Sequence, residues 1–132
     1  MEHGKATAKT PVSDAMRGMG AWNPAWDELA ELDPVWTEKF MDMGMTPFVS
    51  GVLEPKVLEF IAIAVDASCT HLYSPGVRRH IRKALELGAT PQEIMAVLQG
   101  VAVLGIHSCA LGAPILVEEM AALQATRSTQ GS

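Results

Sequence analysis

The chain has 132 residues, the size of one domain, and a formal net charge of −5 at pH 7. No basic block is present, so nucleic acid is not expected as a partner. Apolar residues make up 48% of the chain and eight residues are methionine. This composition favours a helical protein that buries surface against copies of itself.

The two termini differ in composition from the segment between them. Residues 1–20 are rich in small and polar residues without periodicity, which predicts a flexible N-terminal arm, and residues 126–132 predict a C-terminal tail. The arm lacks the apolar region of a secretory signal, so a cytoplasmic location is expected. The longest apolar stretch, 94–104, is too short to cross a bilayer, and no membrane partner is expected. One helical domain is therefore predicted over residues 21–125.

Proline marks several predicted helix starts, because its fixed φ suits the first helical position. Asn23-Pro24 carries this signal, and Asp33-Pro34 opens a first helix that is expected to end near Gly44. Glu54-Pro55 opens a second. Its apolar residues recur at helical spacing, which predicts at least one buried face: Val57, Leu58, Ile61, Ala62 and Val65.

Three more helices are predicted in the second half of the chain. Ser74-Pro75 caps a third helix over 76–87, which Gly88 stops. A fourth begins with the capping-box pattern Thr-Pro-Gln-Glu at 90–93 and is expected to stop near Gly105. A fifth is expected from about Cys109 to Leu123, with Pro114 marking its start or kinking it. No stretch alternates with period two, so the predicted class is all-α, with sequential helices packed antiparallel.

Histidine is the first candidate for chemistry near neutral pH. His71 and His80 flank the predicted turn between helices two and three, and His107 follows Gly105. Because helix junctions can converge, these three side chains could share a site as acid–base groups. Capping of helix ends is the plainer interpretation for each alone. Metal binding by the trio stays a lesser option, since the spacing forms no ligand pair on one helix. No cofactor is expected.

Other candidate residues lie close to this turn. Glu59 is a carboxylate inside the most apolar helix, so it is either on an exposed stripe or buried with a role. Arg78 and Arg79 stand at the start of helix three, where cations oppose the helix dipole. They could hold a substrate carboxylate or form a subunit contact. Tyr73, the single tyrosine, could donate a hydrogen bond in a pocket.

The two cysteines, Cys69 and Cys109, lie in apolar sequence without a CxxC motif. They predict reduced thiols that fill the core, as is common in cytosolic proteins. Cys69 precedes His71 by two residues, so an activated thiolate is the alternative.

Several segments resemble the carboxymuconolactone decarboxylase-like superfamily. Residues 53–65 read LEPKVLEFIAIAV and are similar to its helix LDPKTRELIALAV, while 80–85 and 88–94, read HIRKAL and GATPQEI, resemble the segments that follow. The resemblance covers roughly 32–122. It implies an AhpD-like helical bundle built around an antiparallel helical hairpin, assembled as a homotrimer or homohexamer.

The resemblance also extends to individual site residues. Glu59 matches the helix glutamate and His80 the histidine of the AhpD-like peroxidases, with two extra residues between them. The second cysteine of their CxxC motif is absent, so a sulfenic acid on Cys69 would lack a neighbouring resolving thiol. The resemblance therefore implies a decarboxylase-like enzyme for a small carboxylate of the aromatic-catabolism type. The alternatives are a peroxidase that uses Cys69 and a non-catalytic ligand- or metal-binding oligomer.

Overall fold

The computed structural model describes residues 7–131, and these contain helices and no strand, which confirms the predicted all-α class. They form two compact units, one that ends at Glu54 and one that begins at Pro55. The helices are α1 (Pro11–Gly18), α2 (Asp27–Leu32), α3 (Pro34–Val49), α4 (Pro55–Asp66), α5 (Ser74–Glu86), α6 (Pro91–Ala102) and α7 (Ile106–Gln130), with 3₁₀ turns at Pro24–Trp26 and Val103–Gly105. The predicted domain 21–125 spans residues of both units.

The predicted starts of α3 and α6 rest on side-chain caps. Asp33 accepts a hydrogen bond from the backbone N–H of Trp36 at 3.0 Å, with Pro34 in the first turn. Thr90 and Glu93 form the full capping box: the Thr90 hydroxyl accepts from the Glu93 N–H at 3.1 Å, and the Glu93 carboxylate accepts from the Thr90 N–H at 2.8 Å. These caps satisfy backbone donors that would otherwise lack partners at a helix start.

The second unit is built on α4, α5 and α6. Helices α4 and α5 pack against each other as a hairpin, and α6 packs on α4. Ile63 of α4 and Ala84 of α5 are fully buried, and Ala89 and Ile94 complete the core. The small Ala84 lets the two helices approach closely, so side chains that project between them lie in a restricted space.

In the first unit, part of the predicted flexible arm is ordered. Residues 11–18 form α1, which packs on α3; the rest of the arm before residue 7 lies outside the described residues. Glu38 of α3 accepts hydrogen bonds from the Val12 and Ser13 N–H groups at 2.6 and 3.0 Å. Burial raises the pKa of Glu38, but its hydrogen bonds to Ser13 and Val12 outweigh that effect and hold the pKa below its ordinary value. A carboxylate from another helix thus caps α1, which local sequence does not reveal.

Two predicted boundaries are wrong by a few residues. Helix α3 continues through Gly44 and Pro47 to Val49, because Gly44 does not adopt the positive φ that ends a helix. Helix α5 includes Ser74, so Ser74 does not cap it; Tyr73 occupies the cap position, and its side chain does not cap the helix.

The expected break between the last two helices is absent. Gly105 has φ −63°, a helical value, so the chain runs through the 3₁₀ turn into α7. Helix α7 begins before Cys109, contains Pro114 in its interior and extends through the predicted tail to Gln130. The predicted antiparallel packing therefore fails for this last pair.

Every residue of α7 is exposed in the single chain. Its large apolar residues point in several directions around the helix and are each at least half exposed: Leu111, Ile115, Leu116, Val117, Met120 and Leu123. By length and composition alone, the 40-residue helix Pro91–Gln130 could cross a membrane. This helix is longer than the apolar stretch 94–104 on which the sequence expectation rested, and a helix that a partner chain covers would show the same composition.

Candidate active site

A glutamate–histidine pair lies between α4 and α5. Glu59 is buried in the middle of α4, and its Oε2 lies 2.6 Å from Nδ1 of His80 on α5. His80 shares one helix face with Gly76 and Ala84, because residues four apart stack on a helix. That face packs on α4, which brings the imidazole to the buried carboxylate. A neutral His80 with its proton on Nδ1 donates to Glu59 and leaves Nε2 available for proton exchange.

A second carboxylate faces the other ring nitrogen. Asp66 ends α4, and its Oδ2 lies 3.7 Å from His80 Nε2. Its Oδ1 lies 3.3 Å from Nε2 of His71. One carboxylate therefore stands between the Nε2 atoms of two imidazoles. The His80 side chain is 19% exposed and that of His71 is 51% exposed, so the chain of groups runs from the hairpin to solvent.

The turn between α4 and α5 shapes this cluster. The Tyr73 N–H donates to the Asp66 carbonyl at 2.7 Å, and the Tyr73 ring lies 5.6 Å from that of His71 between centroids. Leu72, between them, has φ +45°, a conformation that L-residues other than glycine, asparagine and aspartate rarely adopt. Gly76 provides space: a Cβ there would collide with Asp66 Oδ2 and lie 2.7 Å from both Asp66 Cγ and Tyr73 Cδ1.

The remaining candidates lie apart from this cluster. Among residues 7–131, no hydrogen bond or ion pair joins His107 or Cys69 to it, and His107 lies on exposed α7. Cys69 and Cys109 are free and exposed, so the prediction of core-filling thiols is wrong for the single chain. Across the described part of the chain, no group of three His, Cys, Asp or Glu side chains is arranged to hold a metal.

The two arginines occupy different sides of α5. Residues advance by about 100° around a helix, so Arg78 lies about 160° and Arg79 about 100° from His80. Arg78 is exposed and lines a shallow surface groove with Val77, Ile81 and others, whereas Arg79 is half-buried. Only Arg79 therefore flanks the face that carries the imidazole.

Asp66 is the site residue that the sequence analysis missed. It ends an apolar helix and resembles an ordinary exposed terminus. The available signal was its spacing: Asp66 follows Glu59 by seven residues, two helical turns, so both carboxylates lie on one face of α4.

The α4–α5 hairpin with its glutamate–histidine pair is the feature that indicates the class of this protein. Residues 34–113 match the carboxymuconolactone decarboxylase family, and the chain belongs to that family.

A solved structure from Burkholderia xenovorans LB400 is similar to the chain, with 44% sequence identity and a TM-score of 0.70. It carries the provisional name gamma-carboxymuconolactone decarboxylase subunit. The match covers 83% of this chain and 45% of that one, so this chain spans less than half of the other's length. No functionally curated protein matches the chain.

Proposed function

We propose that this protein is an enzyme that removes CO₂ from a small carboxylated lactone or keto acid of the aromatic-catabolism type, with His80 as its acid–base group. The observation that carries the proposal is the buried Glu59 carboxylate 2.6 Å from His80 Nδ1. A carboxylate on one imidazole nitrogen fixes the ring's orientation and directs proton transfer to the other nitrogen.

In this mechanism the bond between the substrate carbon and its carboxylate breaks, and CO₂ leaves. The electron pair stays on carbon and is delocalised into the neighbouring carbonyl. The Nε2–H of protonated His80 then gives its proton to that carbon, and neutral His80 remains, hydrogen-bonded to Glu59. Glu59 stabilises the imidazolium form that starts the step, which is the electrostatic contribution of a preorganised partner.

A cation is needed to hold a carboxylate of the substrate. Arg79 is the better placed arginine, since it is half-buried and flanks the His80 face, and no carboxylate of the described residues pairs with it. Guanidinium groups bind carboxylates through two parallel hydrogen bonds. We assign Arg79 this role and leave Arg78 to the outer surface of α5.

The test of this proposal is Glu59→Gln, assayed for CO₂ release from a panel of small carboxylated lactones and keto acids. Loss of the charge beside Nδ1 should lower kcat by about 10²–10⁴-fold, the usual contribution of acid–base catalysis. Glu86→Gln, an exposed charge change on α5, serves as the matched control and should keep wild-type kcat.

No CO₂ release by the wild-type protein from any member of the panel would reject the decarboxylase. A stable sulfenic acid on Cys69, or a Cys69–Cys109 disulfide after mild peroxide, detected by mass spectrometry, would instead support the peroxidase. Both thiols are exposed in the single chain.

We further propose that the protein works in the cytoplasm as a homo-oligomer, a trimer or hexamer, with α7 covered by other copies. Residues 94–117 contain no Asp, Glu, Lys or Arg, and α7 exposes apolar side chains around its circumference. A helix that is apolar on all sides needs neighbours on all sides. A second copy of the same chain provides matching apolar surface without any additional partner.

A further inference from the structure

Each decarboxylation consumes one proton, and the group that supplies it must be recharged from water. His80 lies between two helices and is 19% exposed, whereas His71 is 51% exposed. Among the described residues, the group that links them is the Asp66 carboxylate, with one oxygen toward each Nε2. A proton from solvent could therefore reach His80 through His71 and Asp66.

We propose that His71 and Asp66 form a proton path that recharges His80 from solvent, and that Gly76 keeps this path open. The proposal rests on the decarboxylase function for its purpose, but the path itself is a property of the free protein. Its basis is the geometry of one carboxylate between two imidazoles, at 3.3 Å from His71 and 3.7 Å from His80.

The proton moves along this path in two transfers. A proton from water binds Nδ1 of His71, and the proton on Nε2 of His71 passes to Asp66 Oδ1. The carboxyl group rotates about its Cβ–Cγ bond and releases that proton to Nε2 of neutral His80. Asp66 returns to carboxylate and His71 to its neutral form. One proton has moved from solvent to His80, and the proton of neutral His71 now lies on Nδ1; exchange of that proton with water returns His71 to its starting tautomer.

The distance between Asp66 and His80 shows that a group must move during the transfer. A direct N–H···O hydrogen bond has a length of about 3.0 Å, so the Asp66–His80 separation of 3.7 Å must shorten by about 0.7 Å. The proposed path therefore requires the Asp66 side chain to move toward His80. The gap also leaves Nε2 free to face a substrate between transfers.

Gly76 makes room for the Asp66 carboxylate. A Cβ at this position would collide with Asp66 Oδ2 and crowd Asp66 Cγ at 2.7 Å. Gly76 adopts no positive φ, so backbone conformation does not explain the glycine. The space it leaves is filled by the carboxylate, and Gly76 is thus a positioning residue for Asp66.

The experiment measures how fast the ring protons of His80 exchange with water, by NMR on protein labelled with ¹⁵N at histidine and without substrate. His71→Gln and Gly76→Ala should each slow the exchange by about tenfold or more, since proton transfer by a positioned group contributes at least that much. Thr70→Ala, an exposed change beside His71, is the control and should exchange as wild type. Free imidazole in the buffer should restore exchange in His71→Gln.

Wild-type exchange in either His71→Gln or Gly76→Ala overturns the path. Because His71 is exposed, His71→Gln should fold normally and decides the question if Gly76→Ala does not fold. The exchange measurement does not depend on catalysis. If the variants slow exchange but the protein has no decarboxylase activity, the proposed reaction is rejected and the proton path is retained. With an active substrate, kcat of His71→Gln should fall and recover with imidazole, while KM stays unchanged.

Discussion

At the scale of single residues, the site depends on two backbone positions in and after one turn. Leu72 is held at positive φ between His71 and Tyr73, which both contact Asp66, and Gly76 gives the carboxylate its space. A leucine in the left-handed region costs about 1 kcal/mol or more, and its side chain is 70% exposed, so burial does not offset that cost. Strain of this kind persists where the surrounding structure imposes it.

Leu72→Asn should therefore raise the free energy of unfolding by about 0.5–1 kcal/mol, because asparagine tolerates the left-handed region. Urea unfolding followed by circular dichroism measures the change. Leu87→Asn, at an exposed leucine with negative φ, is the control and should give no such gain. A destabilised Leu72→Asn would show that the leucine side chain contributes packing that outweighs the strain.

At the scale of helices, the caps explain both the success and the failure of prediction from sequence. The starts of α3 and α6 were predictable, since Asp33 and Thr90 cap through backbone groups only three residues away. The cap of α1 was not, because Glu38 comes from another helix.

Whether a glycine ends a helix could not be predicted from the sequence, for a similar reason. Gly88, with φ +89°, ends a helix, whereas Gly105 continues one with φ −63°, and tertiary context decides between these states.

Prediction of the site from the sequence has the same limit. The pairing of Glu59 with His80 could be anticipated through the resemblance, because both residues lie in recognisable segments. The role of Asp66 could not, since it depends on where the turn places His71 and on the space left by Gly76.

The capping box of α6 makes stability depend on pH. The hydrogen bond from the Thr90 N–H, followed by that from Lys56, lowers the pKa of Glu93 below its ordinary 4.5. A lowered carboxyl pKa gives stability that is present above the unfolded value and is lost as pH falls through the folded value. Glu93→Gln should therefore be less stable than wild type near neutral pH, and the difference should shrink below pH 4.5.

Chemical unfolding at a series of pH values measures this difference. Glu31→Gln removes an exposed carboxylate for which the described residues provide no hydrogen bond or ion pair, so its offset from wild type should stay constant with pH. A constant offset for Glu93→Gln as well would show that the charge on Glu93 contributes nothing to the cap.

At the scale of the whole molecule, α7 is the feature that a single chain does not explain. Leu116→Asp should place a charge in the proposed contact between copies and shift the protein to a smaller species, since a buried unpaired charge is strongly unfavourable. Light scattering coupled to size exclusion measures the mass, and circular dichroism checks that the helices remain.

Val52→Asp changes an apolar residue outside α7 that is 83% exposed, and it should keep the wild-type mass. A wild-type protein that is monomeric at micromolar concentration without detergent would contradict the assembly through α7. Recovery of the protein only with membranes or detergent would also contradict it, and would point to the bilayer as the cover of this helix.

The space at position 76 also constrains how related sequences can diverge. A relative that acquires any side chain there loses room for an aspartate at position 66, and one that loses the aspartate no longer needs the glycine. Substitutions at these two positions should therefore occur together across the family, dividing its members into two groups. Position 71 should vary freely in the group without the glycine, because its histidine would have no carboxylate to meet.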